Sequence, residues 1–309
     1  MEVLTENSVS QDFIQANTKK TELEYLKEET IIPAFAKDNE STISHVEFIE
    51  SVHEAVDMVF RGESILKPQV RVSHPIKGRI PEAKGKPAKE LLEHEKTLYY
   101  ERMTFMIELD SVLHDVGGNK LSLSVGGVRS YHLDNLYNKK GPERFKLFIG
   151  FKNWVCTNLC VSTDGFLADL KVESSRQLLE AALDLFQGFQ IERELQELQD
   201  LQKVHLTHNE FSHVVGRAKQ YINLSGESKC NKPVFPLGDS QLSALIRGYY
   251  GVLENEGHTI SLWDFYNLMT AANKSSYIDS HLDRNVESLR FSSSLANSLQ
   301  TDSANWYLH

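Results

Sequence analysis

The spacing of apolar residues changes period twice along the chain, and each change predicts a different kind of element. Over residues 44–60, Val46, Ile49, Val52, Val56 and Val59 recur at three and four, the stripe of an amphipathic helix, which Gly62 closes. Val70 and Val72 then alternate with Arg71 and Ser73, which predicts a short strand, and Pro75 stops its ladder for want of an N–H. Between Ile76 and Lys89 stand Gly78, Pro81, Gly85 and Pro87 among Lys77, Arg79, Lys84, Lys86 and Lys89, a composition that reads as an exposed basic loop. Aromatic and β-favouring residues over 99–109, then Gly117-Gly118-Asn119, then Leu121 to Val125 predict an antiparallel hairpin. A further strand run covers 145–161, with Phe145, Leu147 and Ile149 at alternate positions.

After Leu170 helical spacing takes over. It runs through Leu178, Ala182, Leu185, Phe189, Leu195, Leu198 and Leu201, with a break at Gly188. Thr207 and Glu210 stand at the spacing of a capping box that opens a helix to about Ile222. More helices are indicated over 239–253, over 261–272 and at about 285–299. The fold class is therefore α+β, a mostly antiparallel sheet with a flanking helix followed by a helical bundle. Three parts are expected: a flexible acidic lead-in over 1–30, a sheet domain over 31–172 and a helical domain over 173–309. No fixed-period repeat is visible, which excludes solenoids and propellers.

Charge alters this picture more than composition does. The chain carries 25% charged and 40% hydrophobic residues, ordinary for a folded protein, and a net charge of −10. That net charge is uneven: −9 over residues 1–60, +6 over 61–152 and −7 over 153–309. The apolar runs are broken well short of the roughly 20 residues needed to cross a bilayer. The N-terminus lacks the basic and apolar blocks of a secretory signal, so the expectation is a cytoplasmic protein with no membrane partner. Cys156, Cys160 and Cys230 are expected as free thiols.

Few residue patterns point to chemistry. No phosphate-binding glycine loop is present, and Gly126-Gly127 reads as a bulge or a close backbone approach. His205, His208 and His213 do not share a helix face, so no metal is expected, and no cofactor either. Glu108 and Asp110 form a carboxylate pair at strand spacing without an identifiable partner base. The most suggestive feature is the cations threaded with aromatics: Arg71, His74, Lys77 and Arg79, then Arg129, Tyr131 and Tyr137, then Lys139, Lys140, Arg144, Lys146 and Lys152. Such mixtures suit unpaired nucleic acid, because cations displace counterions from phosphates and aromatic faces stack on bases. The competing reading makes Phe145, Phe148, Phe151 and Trp154 core and the lysines an ordinary solvated surface.

The segments VRVSHPIKGRIP over 70–81, LYYER over 98–102, SVGGVRSY over 124–131 and FKNWVCTN over 151–158 resemble the bacterial family called domain of unknown function 3871. More distantly, the WVCTN segment, LWDFYN over 262–267 and Arg290-Phe291 are similar to the phage- and plasmid-associated domain of unknown function 932. The resemblance implies a gene of mobile-element type and transfers no catalytic residues. The leading expectation is an accessory protein that binds single-stranded nucleic acid through Arg71, Lys77, Arg79, Arg129, Tyr131 and Lys152. Its rivals are an interaction or inhibitor module using the acidic helical part toward a host or element-encoded protein, and an enzyme with a site between the two parts. A homo-oligomer is compatible with each.

Overall fold

The structure is a computed structural model and describes residues 12–30, 42–83, 85–134, 141–256 and 259–309. In chain order the front half holds β1 (Lys19–Thr21), α1 (Leu23–Glu29), α2 (His45–Val59), β2 (Gln69–Val72), β3 (Pro75–Arg79), β4 (Lys96–Tyr100), β5 (Arg102–Val116), β6 (Asn119–Ser130), β7 (Glu143–Asn153), β8 (Leu159–Cys160) and β9 (Phe166–Val172). The rear half holds α3 (Ser175–Gly188), α4 (Ile191–Gln202), β10 (His205–Thr207), α5 (His208–Asn223), α6 (Gly226–Lys229), α7 (Asp239–Glu256), β11 (Thr259–Ser261), α8 (Leu262–Asn273) and α9 (Ile278–Thr301). The class is α+β.

A main antiparallel sheet runs β1-β2-β5-β6-β7-β8, with β9 also on β7. Its long central strands are covered on both faces, so residues 103–109 of β5 and 121–130 of β6 are buried at every position, the serines and Arg129 of β6 included. Phe105, Ile107, Leu123, Val125, Leu147 and Ile149 project one way onto Phe48, Ile49, Val52 and Val56 of α2. Met106, Val128 and Phe148 project the other way onto Phe13 and Ile14 and onto Ile278, Leu282 and Val286 of α9. The first of these clusters continues through α3 and α4 into Trp263, Tyr266 and Leu295, so the apolar core crosses the 172/173 position without a break.

Capping accounts for several helix starts. Ser44 and Thr207 each form a capping box with the glutamate three residues on, and Ser261 Oγ accepts from Asp264 N. Gly117 and Gly118 adopt φ of +61° and +75°, which lets β5 turn tightly into β6. A bulge between Leu109 and Leu113 leaves residues 110–112 without partners on β6. The 63–66 stretch fills this gap, with Asp110 N donating to Ser64 O and Leu66 N to Glu108 O.

Three expectations need correction. Within the expected lead-in, Phe13 and Ile14 are buried and Lys19–Thr21 pairs with β2, because these two adjacent apolar residues join α9 in covering the second sheet face. The predicted basic loop over 76–89 instead begins as β3, paired with β4. Pro75 fits there because it is the first residue of a strand in a separate two-stranded ribbon. The rear half also contains a ribbon, β10 with β11, whose strands lead directly into the caps of α5 and α8. No described helix is long and apolar enough to cross a membrane.

Gly126 and Gly127 mark a close approach of backbones. A Cβ on Gly126 would lie 2.1 Å from Phe105 O, and one on Gly127 would lie 2.4 Å from Lys146 O and 2.5 Å from Phe48 Cζ. Either Gly→Ala change is therefore expected to cost about 3 kcal/mol or more, read from urea denaturation. A loss under about 1 kcal/mol would show that the strands part without strain.

Candidate functional site

The six cations and aromatics expected to bind nucleic acid do not converge. Arg129 lies on β6 facing α2 and is fully buried, its Nη2 2.5 Å from Glu143 Oε2 and 2.9 Å from Asp134 Oδ2. Its Nη1 donates to Arg144 O at 2.7 Å, and its guanidinium sits 4.1 Å over the Phe145 ring. Tyr131 is buried beside it and stacks on His45 at 4.6 Å. Neither can meet a ligand in solution, which corrects the expectation for both: the β6 period turns Arg129 inward, where a charge is tolerated only with its partners, and the turn that follows β6 buries Tyr131 beside it. Lys77 and Arg79 lie on the separate β3–β4 ribbon, Lys77 exposed and Arg79 donating to Lys86 O. Tyr137, Lys139, Lys140 and Lys84 fall outside the described residues.

Arg71 and Lys152 do come together, in a cleft of about 540 Å³ on the α9 side of the sheet, next to the bulge of β5. Sheet register sets this face, since Arg71, Glu108 and Lys152 occupy the alternate positions that point away from α2. Glu108 is buried; its Oε1 accepts from Ser122 Oγ at 2.6 Å and from Trp154 Nε1 at 3.0 Å, and its Oε2 from Lys152 Nζ at 2.7 Å. Arg71 bonds Asp12 at 3.1 Å and Thr18 through both Nε and Nη2. Both cations are thus already balanced by carboxylates.

Three other groups give the cleft its spare capacity. Lys20, the register partner of Arg71, makes no ion pair among the described residues. Asp110 Oδ1 is enclosed and has no hydrogen-bond donor among them. Trp154 is 42% exposed, its ring held by the Glu108 bond. The turn that carries it is tightly built: Asn153 Oδ1 accepts from Val155 N at 2.8 Å, and Thr157 adopts φ of +55°. Lys274 braces that turn, donating to Cys156 O and to Thr157 Oγ1, and burial pushes its pKa down. The Trp-Val-Cys-Thr-Asn run was legible in sequence, but nothing there signalled that Trp154 stays exposed.

Other candidates are inert. Cys156 lies in the turn and not on a strand, Cys160 is in β8, and burial raises the pKa of both thiols. His208 bonds Tyr249 OH at 3.2 Å. Among the described residues no three His, Cys, Asp or Glu side chains stand close enough to hold a metal ion.

Because Arg129 is buried, removing the charge of Glu143 leaves its guanidinium undercompensated, with Asp134 as its remaining carboxylate. Glu143→Gln is expected to cost about 3–5 kcal/mol in chemical denaturation, and Arg129→Met to be milder. A reversed order would contradict this account. Burial also lowers the pKa of His45 to about 3 and of His281 to about 4. The unfolded chain protonates both near pH 6.5, so their contribution is complete above that pH and lost as the pH falls toward 4. Each histidine should contribute about 1.4 kcal/mol per pH unit in that window, partly offset by Asp134 and Glu194, whose pKa values burial raises. Denaturation at pH 7, 6 and 5 measures this, and a flat profile would mean that the histidines reach water.

No curated protein and no solved structure matches the chain. A family model does, over residues 1–308. The chain therefore belongs to the family described as "Domain of unknown function, B. Theta Gene description (DUF3871)".

Proposed function

We propose that this chain is an accessory protein of mobile-element type that binds a nucleotide unit of single-stranded nucleic acid in the cleft of Lys20, Asp110 and Trp154. The observation that carries this reading is an exposed indole, fixed by its own N–H, in the same cleft as an ammonium that has no carboxylate partner among the described residues. A base stacks on Trp154, its exocyclic amine donates to the Asp110 carboxylate, and its phosphate meets Lys20. The cleft volume of about 540 Å³ lies in the range of sites for ligands of that size. Arg71 and Lys152 stay with Asp12 and Glu108, so they position the walls and add little attraction of their own. Three free thiols fit a cytoplasmic setting.

The contact is small, and its salt dependence follows from that. The five cations of the expected set, if free, would give a slope of about −3.5 in log affinity against log salt for a single strand, whereas one gives about −0.7. Quenching of tryptophan emission by short oligonucleotides at about 50 mM salt is expected, with the shallow slope. Trp154→Ala and Lys20→Glu should each weaken binding by about tenfold, within the range for loss of one stacked base. Absence of binding, a slope of about −3.5, or an unaffected Trp154→Ala protein would reject the proposal.

A second reading has one specific observation behind it. Val155 is 67% exposed next to Trp154, an apolar tip that also suits a protein segment. Capture of a protein partner that survives nuclease treatment and is lost in a Val155→Asp variant would favour it over the first.

A further inference from the structure

A second cavity, of about 360 Å³, opens between Ala16–Asn17 and the connection from α8 to α9, on the far side of Lys274 from the Trp154 turn. Its wall includes Arg284, one and a half turns into α9. Arg284 Nη1 donates to Ser276 Oγ at 2.7 Å and to Gln241 Oε1 at 3.0 Å. Its Nε and Nη2 have no partner among the described residues, and no described carboxylate lies within ion-pair distance. That is unusual in a chain of net charge −10, where cations elsewhere on the sheet are matched to acids.

The guanidinium is also fixed in place. Gln241 is buried, and its remaining amide capacity is used by Ala272 O, Ser275 Oγ, Ser276 Oγ and Gly238 N. Such a support holds the planar fork in one orientation with its free N–H groups toward the cavity. The surrounding field has the same sign. Lys274 is buried nearby with no carboxylate bonded to it among the described residues, and His281 is held neutral by burial and by the charges of Lys274 and Arg284. Burial alone pushes the Arg284 pKa down, as expected of a cation with no anion beside it. Asp239, the carboxylate at the start of α7, is taken up by Lys219.

We infer that this cavity is an oxyanion site in which Arg284, with the hydroxyl of Ser240 at the mouth, receives a phosphate group. A phosphate offers the bidentate acceptor that the free edge of the fork matches, and it neutralises a cation that no carboxylate balances among the described residues. The site is separate from the Trp154 cleft.

Calorimetric titration at constant ionic strength, with inorganic phosphate in one arm and ribose 5-phosphate in the other, tests the inference. Saturable binding with a midpoint of about 1 mM is expected for a single charged group in a surface cavity. Tighter binding of the ester would identify a phosphorylated small molecule as the source, and equal binding would identify the free ion. Arg284→Gln should weaken binding about tenfold or more. Ser240→Glu, at an exposed position away from the Gln241 network, should do the same by like-charge repulsion and keeps the test valid if the arginine variant fails to fold. Trp154→Ala should leave phosphate binding unchanged. No saturable binding below about 50 mM phosphate, or wild-type binding by Ser240→Glu, overturns the inference.

Discussion

Arg129 cannot reach water, and the front half is organised around that fact. An isolated guanidinium on the inner face of a sheet would carry a desolvation penalty far beyond the stability of a domain. Here Glu143 and Asp134 balance it, the Arg144 carbonyl takes another donor, and the rings of Phe145 and Tyr131 flank its plane. Glu143 in turn accepts from Ile43 N, just ahead of the cap of α2, so one buried charge ties the helix entry to two strands. Apolar packing alone would not tie these three segments together. A hydrophobic contact tolerates sliding, whereas an unpaired buried charge does not.

The same need for balance explains the charge distribution along the chain. The basic middle segment reads as a footprint for phosphates, yet Arg129 and Lys152 meet acids within it, and several of its other cations meet acids contributed by the segments on either side. Arg71 meets Asp12 from the acidic front, and Arg102 and Lys146 meet Asp279 and Asp283 from the acidic rear. Opposite charges segregated in sequence thus become neighbours in space, where they seat the N-terminal segment and α9 on the second face of the sheet. The net charges of −9, +6 and −7 describe complementarity within one molecule as readily as attraction to another.

Local pattern carried most of the secondary structure. The Thr207 and Ser261 caps, the Gly117-Gly118 turn and the end of a helix at Gly188 are decided by backbone geometry over a few residues, and such signals are written where they act. Pairing across long distances was not legible. Nothing near Phe13 or Lys19 states that β2 lies alongside, and nothing near Pro75 states that residues 96–100 will accept it. The cleft depends on these long-range facts: Asp110 faces it because of a bulge filled by residues 63–66, and Trp154 is exposed because Glu108 holds its N–H. Arg129 and Tyr131 were misjudged for a related reason, since alternation along β6 gives a side chain's face but not which face is covered.

Pairing therefore offers a better guide to function in this family than clustering. A run of cations in sequence loses its meaning once each has met its carboxylate, and what remains is the group in a cavity wall that the fold had the opportunity to neutralise and did not. Lys20 stands beside Arg71, which has Asp12, and Arg284 stands over a network rich in hydroxyls and amides but with no acid among the described residues. Retaining such a charge disfavours the compact state unless something outside the chain completes it. Ligand chemistry is then read as the complement of that residue: an anion at each of these two positions, with a flat surface beside the first supplied by Trp154.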